Sequence, residues 1–175
     1  MANTYTLIAS NTLGSSAASV TFSSIPSTYT DLVLKASIRS TRANTLNVMN
    51  VRLNNLSTSI YSDTVVDGNS SSASSYRISS STQMELNYIN GANSTSNTFT
   101  NFEMYIPSYL STTKKPISMF NAFEQNASSA GDAVIAAVAG LADITSAITE
   151  INLSNAFSAS FASGSTFWLY GLKNS

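Results

Sequence analysis

Four glutamates are the residues of this chain whose type and placement could best support chemistry. Glu85, Glu103, Glu124 and Glu150 each lie in or beside a stretch typical of a β-strand. Two carboxyl groups that face each other can hydrolyse a glycosidic bond. Isolated carboxylates are more often solvated residues on a strand face, and we favour that interpretation. The chain has no histidine and no cysteine, which excludes Ser-His-Asp, Cys-His and His- or Cys-ligated metal sites. We therefore expect no catalytic residue and no cofactor, and we predict that the chain is not an enzyme.

A second group of oxygen-bearing side chains surrounds Gly68. Asp63, Asp67 and Asn69 could together contribute ligands to a calcium ion. Their spacing does not match an EF-hand loop, and Asp-Gly-Asn is also ordinary turn chemistry. Because calcium needs about six to eight oxygen ligands, we predict no metal site.

Aromatic side chains are the remaining candidates for a binding role. The chain has eight tyrosines, eight phenylalanines and Trp168, which could pack a core or line a sugar-binding groove. Tyrosine tolerates a half-exposed position and is enriched at interfaces. We therefore select Tyr76, Tyr105 and Tyr109 as candidates for exposed contact with a partner.

The elements that would position these residues are short strands, because apolar and polar residues alternate along much of the chain. The clearest strand places Leu32, Leu34, Ala36 and Ile38 on one face. A change of phase around Met49–Asn50 suggests a β-bulge, and Ser70–Ser75 is interpreted as an exposed loop. Strands and turns at roughly ten-residue spacing predict an all-β fold, a two-sheet β-sandwich that is jelly-roll-like. Residues 1–175 are expected to form a single domain.

The alanine-rich segment Asp132–Ile148 fits two structures. Four residues are near helical spacing: Val134, Val138, Leu141 and Ile148. Asp132 could cap such a helix. Gly140 and the frequent β-branched residues favour a strand instead. The pattern alone leaves both open.

Composition narrows the classes of partner. Charged residues make up 10% of the chain and the net charge is −1, so there is no positive stripe to neutralise phosphates and we expect no nucleic-acid partner. The longest apolar run, 133–142, is far shorter than the roughly 20 residues of a membrane-spanning helix, so we expect no membrane partner. The N-terminus lacks the pattern of a signal peptide, which predicts synthesis in a cytoplasm.

Several blocks along the chain resemble a family of tailed-bacteriophage virion structural proteins, of the type found in marine phages and cyanophages. Its members end in a Ser-Thr-x-x-Leu-Tyr-Gly-Ile/Leu-Lys strand, which Ser165–Lys173 matches. The opening, Tyr5–Ser10 and Ser19–Leu32, is similar as well. Five internal blocks also resemble the family, in the same order: Val51–Asn54, Asn90–Asn93, Asn97–Phe99, Tyr105–Tyr109 and Ala147–Leu153. One departure is Gly140-Leu141, where the family often has a tryptophan.

The resemblance implies a viral structural protein with a jelly-roll-like sandwich, and it favours a strand for Asp132–Ile148. From it we expect a capsid decoration (cement) protein that binds the major capsid protein or other virion proteins, located in a virion assembled in the host cytoplasm. A homo-oligomer is expected, and a trimer would suit the threefold sites that such proteins often occupy. The alternative is a tail or fibre-associated adhesin that binds host surface glycans, with Ser70–Ser75 and Gly91–Ser96 as rims of its site.

Overall fold

The structure is a computed structural model that describes residues 5–127 and 133–173. Within these ranges no residue is helical, so no helix there could cross a membrane. The described residues form twelve strands: β1 (Tyr5–Thr12), β2 (Ser19–Phe22), β3 (Asp31–Ile38), β4 (Leu46–Leu53), β5 (Tyr61–Gly68), β6 (Ala73–Ser81), β7 (Met84–Asn90), β8 (Thr100–Ile106), β9 (Lys115–Glu124), β10 (Ala133–Ala142), β11 (Ile151–Asn155) and β12 (Thr166–Leu172). The predicted all-β fold is confirmed.

The strands form two antiparallel sheets that face each other as a β-sandwich. One sheet has eight strands in the order β1-β12-β3-β8-β9-β10-β5-β6, and the other has four in the order β2-β11-β4-β7. A jelly roll commonly has eight strands arranged as two Greek keys, whereas here the division is eight and four. The expected jelly-roll-like topology therefore stays a prediction.

The hydrophobic core lies between the sheets and follows from the alternation in the sequence. On β3, Leu32, Leu34, Ala36 and Ile38 are all buried, as predicted. Alternate residues of the other strands meet them in one continuous cluster of buried side chains. Because successive side chains of a strand point to opposite faces, the same strands place a second set of residues on the outer faces.

Most of the alanine-rich segment is a strand. Residues 133–142 form β10, paired with β9 on one side and β5 on the other, as the family resemblance implied, whereas residues 143–148 belong to no strand. Asp132, the possible helix cap, lies outside the described residues. Val134, Ala136 and Val138 face the core, while Ile135 and Leu141 are exposed on the opposite face. This central strand is therefore apolar on both faces, which removes the alternation by which a strand is usually detected.

Two predictions about local structure need correction. The bulge predicted around Met49–Asn50 of β4 lies instead on the paired strand β7, where Ile89 and Asn87 pair with the consecutive residues Asn47 and Val48. Tyr88 is thus the extra residue, and its φ of 70° is uncommon for a bulky side chain. The loop predicted at Ser70–Ser75 is wrong in its second half, since β6 begins at Ala73. The side chain of Asn69 closes that turn by accepting hydrogen bonds from the backbone N–H groups of the two serines at 71 and 72, each 2.9 Å long.

Candidate functional site

The outer face of the eight-stranded sheet carries an apolar surface across three neighbouring strands. The register places Val66 of β5 opposite Ala137 of β10, and Ala137 opposite Phe120 of β9. Ile135 and Ala139 lie on either side of Ala137 along β10. We call these five residues the apolar band. Val66 is 57% exposed, Ile135 54% and Phe120 43%, although all three are large apolar side chains.

The surface of the apolar band is uneven because large and small side chains alternate across it. One groove of about 480 Å³ lies on the side of Phe120 that faces Tyr105, with Ala137 and Ala139 in its lining. A second groove, of about 350 Å³, lies between Phe120 and Ile135 and is also lined by Ala73. The protruding Phe120 therefore stands between two shallow depressions. A partner with complementary side chains could interdigitate with this surface, as in the packed core of an interface.

The free energy available at the apolar band can be estimated from its exposure. Fully burying a Val, Ile or Phe side chain contributes about 1.5–3 kcal/mol. Because roughly half of Val66, Ile135 and Phe120 remains exposed, a partner that covers them would gain about 1 kcal/mol from each. No charged side chain belongs to the band. The nearest ion pair joins Lys35 to Glu103 at its edge, with 2.9 Å between Nζ and Oε2, and its hydrogen bond raises the pKa of Lys35.

Two of the three tyrosines selected from the sequence belong to a structural corner. Tyr109 is 0% exposed, and its hydroxyl donates to the carbonyl oxygen of Pro26. The prediction that Tyr109 is an exposed contact residue is therefore wrong. Tyr105 is half-buried and donates to Oδ2 of Asp31 at 2.9 Å, while Oδ1 of Asp31 accepts the N–H of Ser108 at 2.8 Å. Burial, followed by the nearby Asp31 carboxylate, raises the pKa of Tyr105.

Tyr76, the third selected residue, lies on the inner side of the edge strand β6. Its ring packs against the hydrophobic core, and its hydroxyl accepts a hydrogen bond from the side-chain amide of Asn87. Burial is the main reason that its pKa rises to about 12. Tyr76 thus joins the two sheets, and the structure does not bring it together with Tyr105 and Tyr109. Whether Tyr76 or Tyr105 contacts a partner stays a prediction, although Tyr105 lines one groove of the apolar band.

Within each sheet, the two glutamates are too far apart to act as a glycosidase pair. Glu103 pairs with Phe120, and Glu124 lies four residues further along β9, about 13 Å away at ~3.3 Å per residue. Glu85 pairs with Asn50 on β4. The backbone N–H of Glu150 donates to the side chain of Asn54, which is four residues beyond Asn50 and just past the end of β4. Glycosidase carboxyl groups are at most about 9.5 Å apart.

The possible calcium ligands also lie apart. Asp63 and Asp67 are on the same face of β5 but four residues, or about 13 Å, apart. Asp63 is buried, accepts the N–H of Glu85 and has its pKa raised by burial. Asp67 accepts the hydroxyl of Ser74 at 2.9 Å. Across residues 5–127 and 133–173, no three Asp or Glu side chains come close enough to hold a metal ion.

The sequence contains a signal for the apolar band that a search for alternating residues misses. A central strand with one solvated face normally alternates apolar and polar residues. The segment 133–142 contains no polar or charged side chain, which is typical of a strand covered on both faces. Trp168 also lies on the outer face of the sheet, because the alternation along β12 places it opposite the buried residues Phe167 and Leu169.

Comparison of the chain with protein-family models, curated proteins and solved structures finds no match.

Proposed function

We propose that this protein is a virion structural protein of the capsid-decoration type, which attaches to the major capsid protein through the apolar band. The observation that carries the proposal is the outward-facing half of β10. Ile135, Ala137, Ala139 and Leu141 offer no polar group to water, so the sheet face they form is suited to a covered position. The ordered resemblance of the sequence blocks to tailed-phage structural proteins supports the same function.

The mechanism is attachment by surface complementarity. Burial of the apolar band and its surroundings against a capsid subunit would provide the central, dry part of an interface. About 800 Å² per partner is enough for a specific contact. The low charge limits the cost of removing water from the two surfaces. If the protein is a homo-oligomer such as a trimer, several weak contacts act together and the attachment becomes strong through avidity.

The test uses heads assembled without this chain and the purified full-length protein. After incubation and washing, quantitative mass spectrometry gives the number of bound copies per head. Decoration predicts copies on the order of hundreds, because every symmetry-related site is filled. Ile135→Lys places a charge in the apolar band and is expected to abolish retention. Ser19→Lys adds the same charge to an exposed residue of β2 on the other sheet and serves as the matched control.

Two results would contradict the proposal. One is equal retention of the Ile135→Lys and Ser19→Lys proteins. The other is a count of about six to eighteen copies in the native particle, which would place the protein in the tail. Far-UV circular dichroism and thermal melting of both variants establish that they are folded.

A further inference from the structure

Another groove, separate from the two of the apolar band, lies on the outer face of the eight-stranded sheet, over β12, β3 and β8. Its volume is about 420 Å³, within the ~300–1,000 Å³ of small-molecule sites. We call it the aromatic groove, and the side chains that form it belong to Phe99, Trp168, Tyr170, Lys35, Ser37 and Asn101.

The aromatic groove follows from the alternation along β12. Phe167 and Leu169 point into the core and are 0% exposed. Trp168 and Tyr170 therefore point outward, side by side on one strand. Tyr170 is held by an edge-to-face contact with Tyr5, with 6.1 Å between ring centroids. The single tryptophan of the chain is thus placed on a surface, although its large apolar ring would add stability to a core.

Three polar side chains of the groove have no hydrogen-bond partner among the described residues. Ser37 and Asn101 face each other across β3 and β8. Within the described ranges, the hydroxyl of Ser37, the amide of Asn101 and the indole N–H of Trp168 make no hydrogen bond to another residue. By contrast, Arg39, which directly follows β3, has a guanidinium that donates to four backbone carbonyls. Donors and acceptors that converge on a groove and lack protein partners are free to bind a ligand's polar groups.

The charge of the groove selects among ligands. Lys35 is the one charged residue in its lining, and the ion pair with Glu103 neutralises it. A phosphate or carboxylate would have to compete with Glu103 for that ammonium group. An uncharged ligand with many hydroxyl groups would instead bond to Ser37 and Asn101 without disturbing the pair.

We propose that the aromatic groove binds a neutral saccharide of one or two rings. The apolar C–H face of a sugar ring would lie on Trp168 or Tyr170, because the negative face of an aromatic ring attracts weakly positive hydrogens. The ring hydroxyls would exchange hydrogen bonds with Ser37, Asn101 and the Trp168 indole. This inference is independent of the capsid-decoration proposal.

The aromatic groove and the apolar band are neighbouring parts of the same sheet face. The groove lies over β12, β3 and β8, whereas the band lies on β9, β10 and β5. No residue belongs to both, so substitutions can test the two surfaces separately.

The test uses the fluorescence of the intact protein, because Trp168 is its one tryptophan and reports on the groove directly. The protein is titrated with lactose, maltose, cellobiose and chitobiose, and with sialyllactose as the anionic comparison. At least one neutral disaccharide is expected to shift the Trp168 emission in a saturable way at millimolar concentration or below. Saturation-transfer NMR with the same sugar measures binding without relying on the tryptophan.

Three variants separate the groove from other surfaces. Trp168→Ala is expected to lower the affinity about tenfold or more, as loss of a stacking contact should. Asn101→Ala, which removes the amide but leaves the rings, is expected to weaken binding less. Phe157→Ala removes an exposed aromatic side chain of another surface, 66% exposed, and should bind like the unmodified protein.

The inference is overturned if none of the four neutral sugars gives a saturable fluorescence change or saturation transfer. It is equally overturned if Trp168→Ala and Phe157→Ala bind alike, or if sialyllactose is the one sugar bound. Retention on heads is measured in parallel with Trp168→Ala, which should attach normally. The sugar-binding inference and the capsid-decoration proposal can therefore be refuted independently.

Discussion

Adding one methyl group at Gly171 is expected to destabilise the fold, because the space is already filled by a neighbouring ring. The ring of Tyr29, which precedes β3, lies directly on Gly171 of β12. A Cβ atom added at Gly171 would be 2.2 Å from Cγ and 2.3 Å from Cδ2 of Tyr29. Favourable contacts between carbon atoms are about 3.5–4.0 Å. The substitution Gly171→Ala therefore requires the ring to move by more than an ångström, out of its packed position.

The expected cost is that of overpacking, about 1–3 kcal/mol in the free energy of unfolding. For a chain of this size, each kcal/mol lowers Tm by about 2–4 °C, so Gly171→Ala should melt roughly 2–12 °C below the unmodified protein. Gly14→Ala is the matched control, because a Cβ at Gly14 meets nothing within 4 Å. Differential scanning calorimetry of both variants measures the difference.

A double-mutant cycle identifies Tyr29 as the cause. Tyr29→Ala removes the ring, so adding Gly171→Ala to it should cost almost nothing further. The coupling between the two sites is then about as large as the single Gly171→Ala cost. Equal melting temperatures for Gly171→Ala and Gly14→Ala would refute the reasoning, and so would strictly additive effects of Tyr29→Ala and Gly171→Ala.

Three further substitutions test two sets of hydrogen bonds and one pKa shift. Arg39→Lys should lower the free energy of unfolding by about 1–3 kcal/mol in urea titrations, because a lysine cannot replace a guanidinium that donates to four carbonyls of the 92–98 loop; an unchanged midpoint would contradict this. Tyr61→Phe should cost about 1–3 kcal/mol in the same assay, since the buried N–H of Leu53, which donates to this hydroxyl at 3.0 Å, loses its acceptor. The pKa of Tyr76 is raised from 10.0 to about 12 on folding, so its contribution is present below pH 10 and lost as the pH rises through 12. Relative to Tyr76→Phe, the unmodified protein should lose stability across that interval, and parallel pH profiles of the two would show the shift to be absent.

The parts of the fold that could be predicted from sequence are the strands with one polar face. On β3, Lys35 and Ser37 face outward between buried residues, so period-two alternation is visible. On β10 both faces are apolar, and the same rule could not separate strand from helix. The physical reason for that ambiguity is the exposed apolar band itself. A surface that departs from the usual solvated pattern also departs from the usual sequence signal.

The candidate site could be predicted less well, because exposure depends on contacts between distant parts of the chain. The polar hydroxyl of Tyr109 makes it a candidate for exposed contact, but that hydroxyl bonds to Pro26, 83 residues away. Tyr105 is likewise bonded to Asp31. In the fold, Tyr105, Tyr109 and their partners form one corner, so these hydroxyl groups serve packing between distant parts of the chain.

The most direct test of the attachment surface places a photoreactive residue in the apolar band of assembled particles. Phe120 is replaced by p-benzoylphenylalanine, and Ser19 is replaced in a second preparation as the control on the opposite sheet. After irradiation, mass spectrometry identifies the cross-linked partner. We predict a cross-link from position 120 to the major capsid protein and none from position 19. A cross-link from position 19 with none from position 120 would contradict the claim that the outer face of β5, β9 and β10 is the attachment surface.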